Sequence, residues 1–301
     1  MAYDVAALPA YTKQDASKLI YQKLYTNGDT IKHMNVQPGI KSSETINIVS
    51  VNPIWKAQAC SFTASGDTTF SRRTITVGKP MIQMSWCERD LETKYLQEAM
   101  KAGGSYDSLT FNTQIMDLTM DNIAKDLERA IWRGDTASLD QNLLHFDGLV
   151  KIISAEATVV NYSGTAWSQA NSRTVFNGMI TTMDAQVRAL GMAKLFCSHT
   201  MLQQYRFKLS ADNLYHLPGA DDKLYVENSK IEIVPCFGLE NINYAFLIEP
   251  DNLYFGADLM NEQEKVKFWF SEDNQQLRFH TEFKAGTQIA FPGRITEYYG
   301  V

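Results

Sequence analysis

The most regular hydrophobic pattern in the chain lies between Ser108 and Arg133. Apolar residues recur there at steps of three or four, the spacing of one face of an α-helix; they are Met116, Met120, Ile123, Leu127 and Ile131. Charged residues occupy the opposite side: Asp117, Asp121, Lys125, Asp126, Glu128 and Arg129. The pattern predicts a helix over about 110–133 whose charged side faces away from the core.

Gly134 marks the end of this helix. Glycine adopts the left-handed conformation that often follows a last helical turn, so we expect the helix to stop after Arg133. A helix of about 24 residues is about 36 Å long. With one apolar side only, it is a strut against which other elements pack.

A second pattern, over residues 44–86, is typical of extended strands. Residues 44–51 alternate between apolar and polar, and β-rich runs follow at 54–62, 72–78 and 79–86. Polar, glycine-containing residues 64–67 separate them, which predicts a protruding β-hairpin. Because an isolated hairpin is marginally stable in water, it should lean on another domain or on a neighbouring subunit. The pattern does not choose between these.

Helical and strand patterns alternate in the rest of the chain. Residues 1–14 lack periodicity, and Asp15 is a candidate cap for a short helix. Helices are predicted at 87–102, 172–192 and from 200, and residues 149–162 suggest strand, turn, strand. Further strands are predicted at 193–199, 230–236 and 243–250, and four more close the chain after 264. This order indicates a mixed α+β fold.

Size and composition limit the class of protein. The chain has 301 residues, of which 45% are hydrophobic and 21% charged, so it can bury one large core or two smaller ones. Its net charge of −6 argues against a protein that grips nucleic acid through a broadly basic surface. There is no signal peptide and no apolar run that would span a bilayer, which indicates a protein made in a cytoplasm.

Catalytic and metal-binding motifs are missing from the sequence. There is no phosphate-cradling glycine loop, no HExxH and no GxSxG, and the four cysteines form no CxxC pair. Cys197 and His199 lie two apart on a predicted strand and so face the same side, a weak metal pair for which core packing is the favoured interpretation. We therefore predict no catalytic, cofactor-binding or metal-binding residue, and no enzyme.

The segment after the long helix contains two aromatic residues. Trp132 and Phe146 bracket a polar stretch, and the simplest interpretation buries both against the base of the helix. Asp135 and Asp147 each neighbour a glycine and are natural turn residues. A structural turn is favoured over a ligand site.

Three motifs and the order of elements resemble one family. The motifs are S-x-C-x-R-D-L at Ser85–Leu91, E-x-A-I-W-R-G-D within Glu128–Thr136, and F-D-G-L within Phe146–Val150, with a closing strand pair at 277–300. Together they resemble the major capsid protein of tailed double-stranded DNA bacteriophages, the Hong Kong 97 fold that encapsulins share. The order of elements resembles that of this family over nearly the whole chain.

The resemblance implies a division of the chain into named regions. Residues 1–40 would form the N-terminal arm and 41–80 the extended loop, a β-hairpin that lies over a neighbouring subunit. Residues 81–159 would form the peripheral domain with the spine helix at about 110–133. Residues 160–263 would form the axial domain, and 264–301 would return to the peripheral domain.

The implied function is structural. Hexamers and pentamers of the chain would build the icosahedral virion shell, assembled in the host bacterial cytoplasm and enclosing double-stranded DNA without sequence-specific binding or contact with a membrane. A portal protein, a separate scaffolding protein and a decoration protein are the expected partners. The scaffolding protein is expected to be separate because no fused scaffold precedes the arm. No cross-link is assigned to Lys56, since neither its partner nor a catalytic acid can be matched.

Two other functions stay open: an encapsulin-like compartment and a cytosolic enzyme with an unrecognised site. Deleting residues 58–72 is predicted to leave a folded subunit that fails to form shells.

Overall fold

The computed structural model describes residues 29–57, 65–87, 108–212, 214, 224–258 and 267–300. These residues form five α-helices: α1 Ser108–Arg133, α2 Leu149–Ser154, α3 Ser172–Thr182, α4 Ala185–Leu190 and α5 His199–Ala211. The first strands are β1 Asn35–Pro38, β2 Ser43–Asn52, β3 Asp67–Thr76, β4 Met81–Cys87, β5 Val160–Gly164 and β6 Lys194–Cys197. The others are β7 Glu232–Pro235, β8 Tyr244–Ile248, β9 Leu253–Ala257, β10 Lys267–Ser271, β11 Gln276–Glu282, β12 Ala285–Ile289 and β13 Thr296–Gly300. The mixed α+β class is confirmed.

The long helix α1 has the apolar stripe that the sequence predicts. Its described stripe residues are all buried: Met120, Ile123, Leu127 and Ile131. The prediction that the charged side faces away from the core is wrong for one residue, Glu128. Glu128 is only 5% exposed, because residues 29–34 pack over its side of the helix. That segment lies about 100 positions away along the chain, so helical periodicity could not reveal it.

The helix ends at Arg133 as predicted, but for a different reason. Gly134 is not one of the described glycines that have a positive φ. A Cβ at this position would lie 2.4 Å from the carbonyl oxygen of Phe146. The Gly148 amide also donates a hydrogen bond of 2.8 Å to the Gly134 carbonyl. Glycine is therefore required because two backbone segments approach closely here, not because of a left-handed turn.

Residues 149–162 do not form strand, turn, strand. The first part is the helix α2, and only the second part is a strand, β5. Leu149 and Ile153 are both completely buried, and their spacing of four places them on one side of a helix. The β-branched residues of this short apolar run suggested a strand, which is the ambiguity expected of runs of this length.

The predicted helix at 172–192 is divided into α3 and α4. The Asp184 side chain accepts a hydrogen bond of 2.6 Å from the Gln186 amide and so caps a new helix. The strand that contains Cys197 also ends earlier than predicted, because Ser198 caps α5 through the Met201 amide at 3.1 Å. Cys197 is buried and His199 is exposed on the first turn of α5, so the predicted shared face is wrong.

The strands form four sheets. A five-stranded sheet has the order β5–β13–β8–β6–β7, and two three-stranded sheets have the orders β1–β9–β12 and β10–β11–β4. The fourth is the two-stranded hairpin β2–β3. Strand β13 pairs in parallel with β5 and antiparallel with β8, so the end of the chain lies inside a sheet built from residues 160–248.

Two large hydrophobic clusters fill the interior. The first surrounds the base of α1, where Trp132 is completely buried, 5.4 Å from Phe246 and 5.6 Å from Phe196 between ring centroids. The second lies between α3, α5 and the five-stranded sheet, with Phe176 and Tyr205 at its centre. The predicted burial of Trp132 and Phe146 is confirmed.

Parts of three predictions lie outside the described residues: residues 1–28 of the arm with the helix capped by Asp15, the helix at 87–102 beyond Cys87, and residues 58–62 of the strand predicted at 54–62. The described residues 54–57 of that run lie in no strand, so this part of the prediction is wrong: β2 ends at Asn52, before Pro53, which has no amide hydrogen to donate to a ladder. Within the described part of the chain, no helix combines the length and the apolar character needed to cross a membrane.

Candidate functional site

The hairpin β2–β3 extends away from both large cores. Its ladder pairs ten residues of β2 with ten of β3, from Ser43–Thr76 at the base to Asn52–Asp67 at the far end. Ile46 and Ile48 on β2 are buried, in a small cluster with Ala290. The far half of β2 is exposed, so the protruding hairpin that the sequence predicts is confirmed.

The exposed side of the hairpin carries three apolar residues in its far half. Val49 and Phe70 are directly opposite one another in the ladder, and Val51 follows on the same side two residues later. We call these three residues the outer apolar face. Phe70 is 77% exposed, and both valines are more than half exposed. Just beyond the ladder, the Trp55 side chain is 94% exposed.

The structure holds the far end of the hairpin in a defined shape. The Ser65 hydroxyl donates a hydrogen bond of 3.0 Å to the Ile54 carbonyl. Gly66 has φ of +96°, and a Cβ there would lie 2.6 Å from the Asn52 carbonyl oxygen. Only glycine satisfies both conditions at the point where β3 begins.

The base of the hairpin is anchored by polar contacts. Arg73 on β3 donates a hydrogen bond of 2.6 Å to the Glu156 carboxylate, which lowers the pKa of Glu156. The Gln288 side-chain amide on β12 donates to the Thr74 carbonyl at 2.8 Å. These contacts tie the hairpin to the segment that follows α2 and to β12. They fix the direction in which the outer apolar face projects.

A second exposed feature is the turn between α1 and α2. Lys151 binds Asp135 at 2.7 Å and Asp147 at 2.6 Å. The hydrogen bond from Lys151 lowers the pKa of Asp135, and its bonds to the two carboxylates raise the pKa of Lys151. The prediction of a structural turn at Asp135 and Asp147 therefore agrees with their hydrogen bonds. Leu139 at the tip is 96% exposed.

This turn is rigid for its length. Arg129 of α1 pairs with Asp140 at 3.1 Å, and the Asp140 side chain accepts from the Asn142 amide at 3.0 Å. The sequence analysis did not identify Leu139 as exposed, since one leucine in a polar loop carries no periodic signal. Its exposure depends on where the hydrogen bonds of the loop place it.

The described residues do not form a metal site. No group of three or more His, Cys, Asp or Glu side chains in the described ranges is placed to hold an ion. Cys197 and Cys236 are buried, and burial raises the pKa of both thiols, so neither is a ready nucleophile.

Solved structures share this arrangement of elements. A chain from the satellite phage P4 procapsid, in a structure that includes the size determination (Sid) protein, superposes with a TM-score of 0.65 at 9% identity, over 94% of this chain and 90% of that one. A chain from the capsid of the empty GTA particle gives 0.59 at 11% identity, over 91% and 90%. The fold is that of a phage capsid protein.

The capsid fold is also found in a chain from Mycobacterium phage Adephagia, with a TM-score of 0.59 at 10% identity over 91% of this chain and 90% of that one. No family model and no curated protein matches the sequence. At these identities, about one residue in ten is shared, so the likeness is one of fold. The fold that the sequence motifs suggested is confirmed.

Proposed function

We propose that this chain is a major capsid protein, many copies of which assemble into the icosahedral head shell of a tailed bacteriophage. The single observation that carries the proposal is the hairpin with its outer apolar face, on a chain with the capsid fold. A two-stranded hairpin is marginally stable alone, and here the residues of its far half are exposed in the subunit. A second copy supplies the missing support.

The exposed apolar area favours a permanent contact. Burying one valine or phenylalanine side chain stabilises an interface by about 1.5–3 kcal/mol. Val49, Val51 and Phe70 therefore represent several kcal/mol for each copy, before Trp55 is included. Because the donor hairpin and the surface that receives it belong to different parts of the chain, the contact is heterologous and repeats around closed rings. Hexamers and pentamers are the rings that the proposal requires.

We propose the regional roles from the same fold. Residues 1–40 serve as the arm, 41–80 as the extended loop, 81–159 and 264–301 as the peripheral domain, and 160–263 as the axial domain. Two strands connect these regions: β13 lies in the five-stranded sheet, and β9 pairs with β1 and β12. The shared sheets support a subunit whose two domains move together during assembly.

Partners and contents follow from the proposed shell. It encloses double-stranded DNA without reading its sequence, which agrees with a net charge of −6. A portal protein, a separate scaffolding protein and a decoration protein are further proposed partners; the P4 procapsid, which includes a size determination protein, is a precedent for an accessory protein. We place the finished protein in the virion, after assembly in the host cytoplasm.

Electron microscopy of the expressed protein tests the proposal. Closed shells, or sheets and rings of capsomers, are expected; a monodisperse monomer would overturn it. Nuclease treatment of native particles then distinguishes a phage head, which protects double-stranded DNA, from an encapsulin-like compartment that holds protein cargo. A monomer with catalytic turnover would instead support the enzyme hypothesis.

A hairpin variant tests whether the residues beyond the outer apolar face contribute to assembly. Deleting residues 58–72 would remove the first six of the ten residues of β3 and leave residues 47–52 of β2 without their partners, so a change that keeps the ladder is preferable. Replacing residues 53–66 by Asn-Gly joins Asn52 directly to Asp67 through a two-residue turn and keeps the whole ladder. The variant should fold and should assemble poorly. Normal shells from it would exclude the tip as a contact.

A further inference from the structure

A buried carboxyl group connects the beginning of the described chain to the long helix. Glu128 on α1 accepts hydrogen bonds from the amide of Thr30, at 3.2 Å, and from its hydroxyl. Both donors contact the same oxygen, Oε1. The Trp132 indole in turn donates to the Thr30 hydroxyl oxygen at 2.6 Å, so one threonine joins two residues of α1. All three side chains are buried.

The second carboxyl oxygen of Glu128 has no such support. Oε2 is buried and has no hydrogen-bond partner in the described part of the structure. A charged carboxylate in this position would leave half of its charge without compensation, whereas a protonated carboxyl group would keep only a neutral hydroxyl there. The two donors on Oε1 suit the carbonyl oxygen of the neutral acid.

The ionisable neighbours of Glu128 do not compensate for the burial. Asp29 and Lys32, which pair with each other at 3.6 Å, act on it in opposite directions, and the Cys236 thiol faces the cluster from the far side. Burial raises the pKa of Glu128 to about 7, although the hydrogen bonds from Thr30 act to lower it. The charge of this residue therefore changes near neutral pH.

The contacts of the buried Glu128 carboxyl group hold residues 29–34 against α1. Residues 29–34 form a short 3₁₀ turn that inserts Ile31 and Met34 into the first hydrophobic core and leads into β1. Water reaches the Glu128 carboxyl group most directly when this segment lifts away from α1. Ionisation of the buried group and release of the segment are then coupled.

We propose that Glu128 is a pH-dependent latch, which holds residues 29–34 against α1 when it is protonated and loosens them when it ionises. The direction follows from linkage. Because the pKa is higher in the closed state than in water, the stabilisation is complete below the solvent value and is lost as pH rises through the closed-state value. The latch belongs to the subunit itself, so it does not depend on the proposed shell.

The size of the effect can be calculated. With a carboxyl pKa of 4.5 in the open state and about 7 in the closed state, the opening constant of the segment rises about 40-fold between pH 5 and pH 7 and little above pH 8. In the same segment, the Lys194 ammonium group donates to Nδ1 of His33 at 3.1 Å.

Hydrogen exchange of the full-length, unassembled protein tests the proposal. After correction for intrinsic exchange, protection of the amides of Thr30, His33 and Met34 should fall about 40-fold from pH 5 to pH 7. In the Glu128→Gln variant, which cannot ionise, it should be independent of pH over that range. His33→Asn is the matched control from the same segment and should keep the fall.

Three results would overturn the latch: constant protection in the native protein, protection that increases with pH, or a fall that Glu128→Gln retains. If the glutamine variant does not fold, Glu128→Leu takes its place, because leucine removes both carboxyl oxygens and fills a similar volume. The amides of β8, in the core of the five-stranded sheet, provide the internal reference for global unfolding.

Discussion

Replacing Phe70 by alanine removes the largest side chain of the outer apolar face. In the subunit this phenylalanine is 77% exposed, and its cross-strand neighbour is Val49. Such an aromatic and β-branched pair contributes about 0.2–1 kcal/mol. The free energy of unfolding of the subunit should therefore fall by at most about 1 kcal/mol.

Assembly should be much more sensitive than folding. Burying the exposed part of Phe70 against a neighbour is worth about 2 kcal/mol, and each subunit donates one hairpin. A loss of that size raises the concentration of free subunits in equilibrium with shells by about 30-fold. Sedimentation of assembly reactions over a dilution series measures this critical concentration, and urea denaturation measures the stability of the subunit.

Two control variants separate the effects. Thr68→Ala changes a polar residue on the same side of β3, two positions away, and should alter neither quantity by much. Ile48→Ala removes a buried residue and should lower the stability of the subunit. The reasoning is refuted if Phe70→Ala assembles at the wild-type concentration, or if its loss of unfolding free energy equals its loss in assembly.

Two other predictions concern the core. Trp132→Phe should lower the free energy of unfolding by about 2–3 kcal/mol in urea titrations, because the variant loses the buried hydrogen bond to Thr30 and leaves a small cavity; an unchanged midpoint would contradict it. In the native protein a thiol-reactive reagent should modify Cys87, which is exposed, while Cys197 and Cys236 should react only after unfolding. Peptide mass mapping identifies the modified cysteines, and rapid native labelling of either buried thiol would show that the core opens.

Patterns of period three to four and of period two predicted most of the elements correctly. Helix α1, the strands β2 and β4 and the closing strands appear close to where those patterns place them, whereas residues 54–57 of the strand predicted at 54–62 lie in no strand. The errors occurred in short apolar runs that fit more than one type of secondary structure. Residues 149–154 contain enough β-branched residues for a strand and the four-residue spacing for a helix, and their burial against the first core decided for the helix. At 183–184 a capping aspartate interrupts a helix whose apolar pattern continues.

The candidate surface was predicted in part. Alternation in residues 44–51 identified a strand, and the hairpin's need for support left another domain and a neighbouring subunit as alternatives. Which residues of the hairpin are exposed could be learned only from the pairing of β2 with β3, since a register shift of one position exchanges the two faces. Leu139 was not predicted, because its exposure results from the hydrogen bonds of Arg129 and Asp140.

By itself, the sequence determined the local structure of this protein: the amphipathic helix, the hairpin and the mixed order of helices and strands. These follow from backbone periods and turn chemistry, which act over a few residues. Only the tertiary structure decided which side chains face water. The helical pattern places Glu128 on the charged side of an amphipathic helix, yet it is buried because Thr30, 98 positions earlier, packs against it. Burial is set by contacts between distant segments, and a local pattern does not contain them.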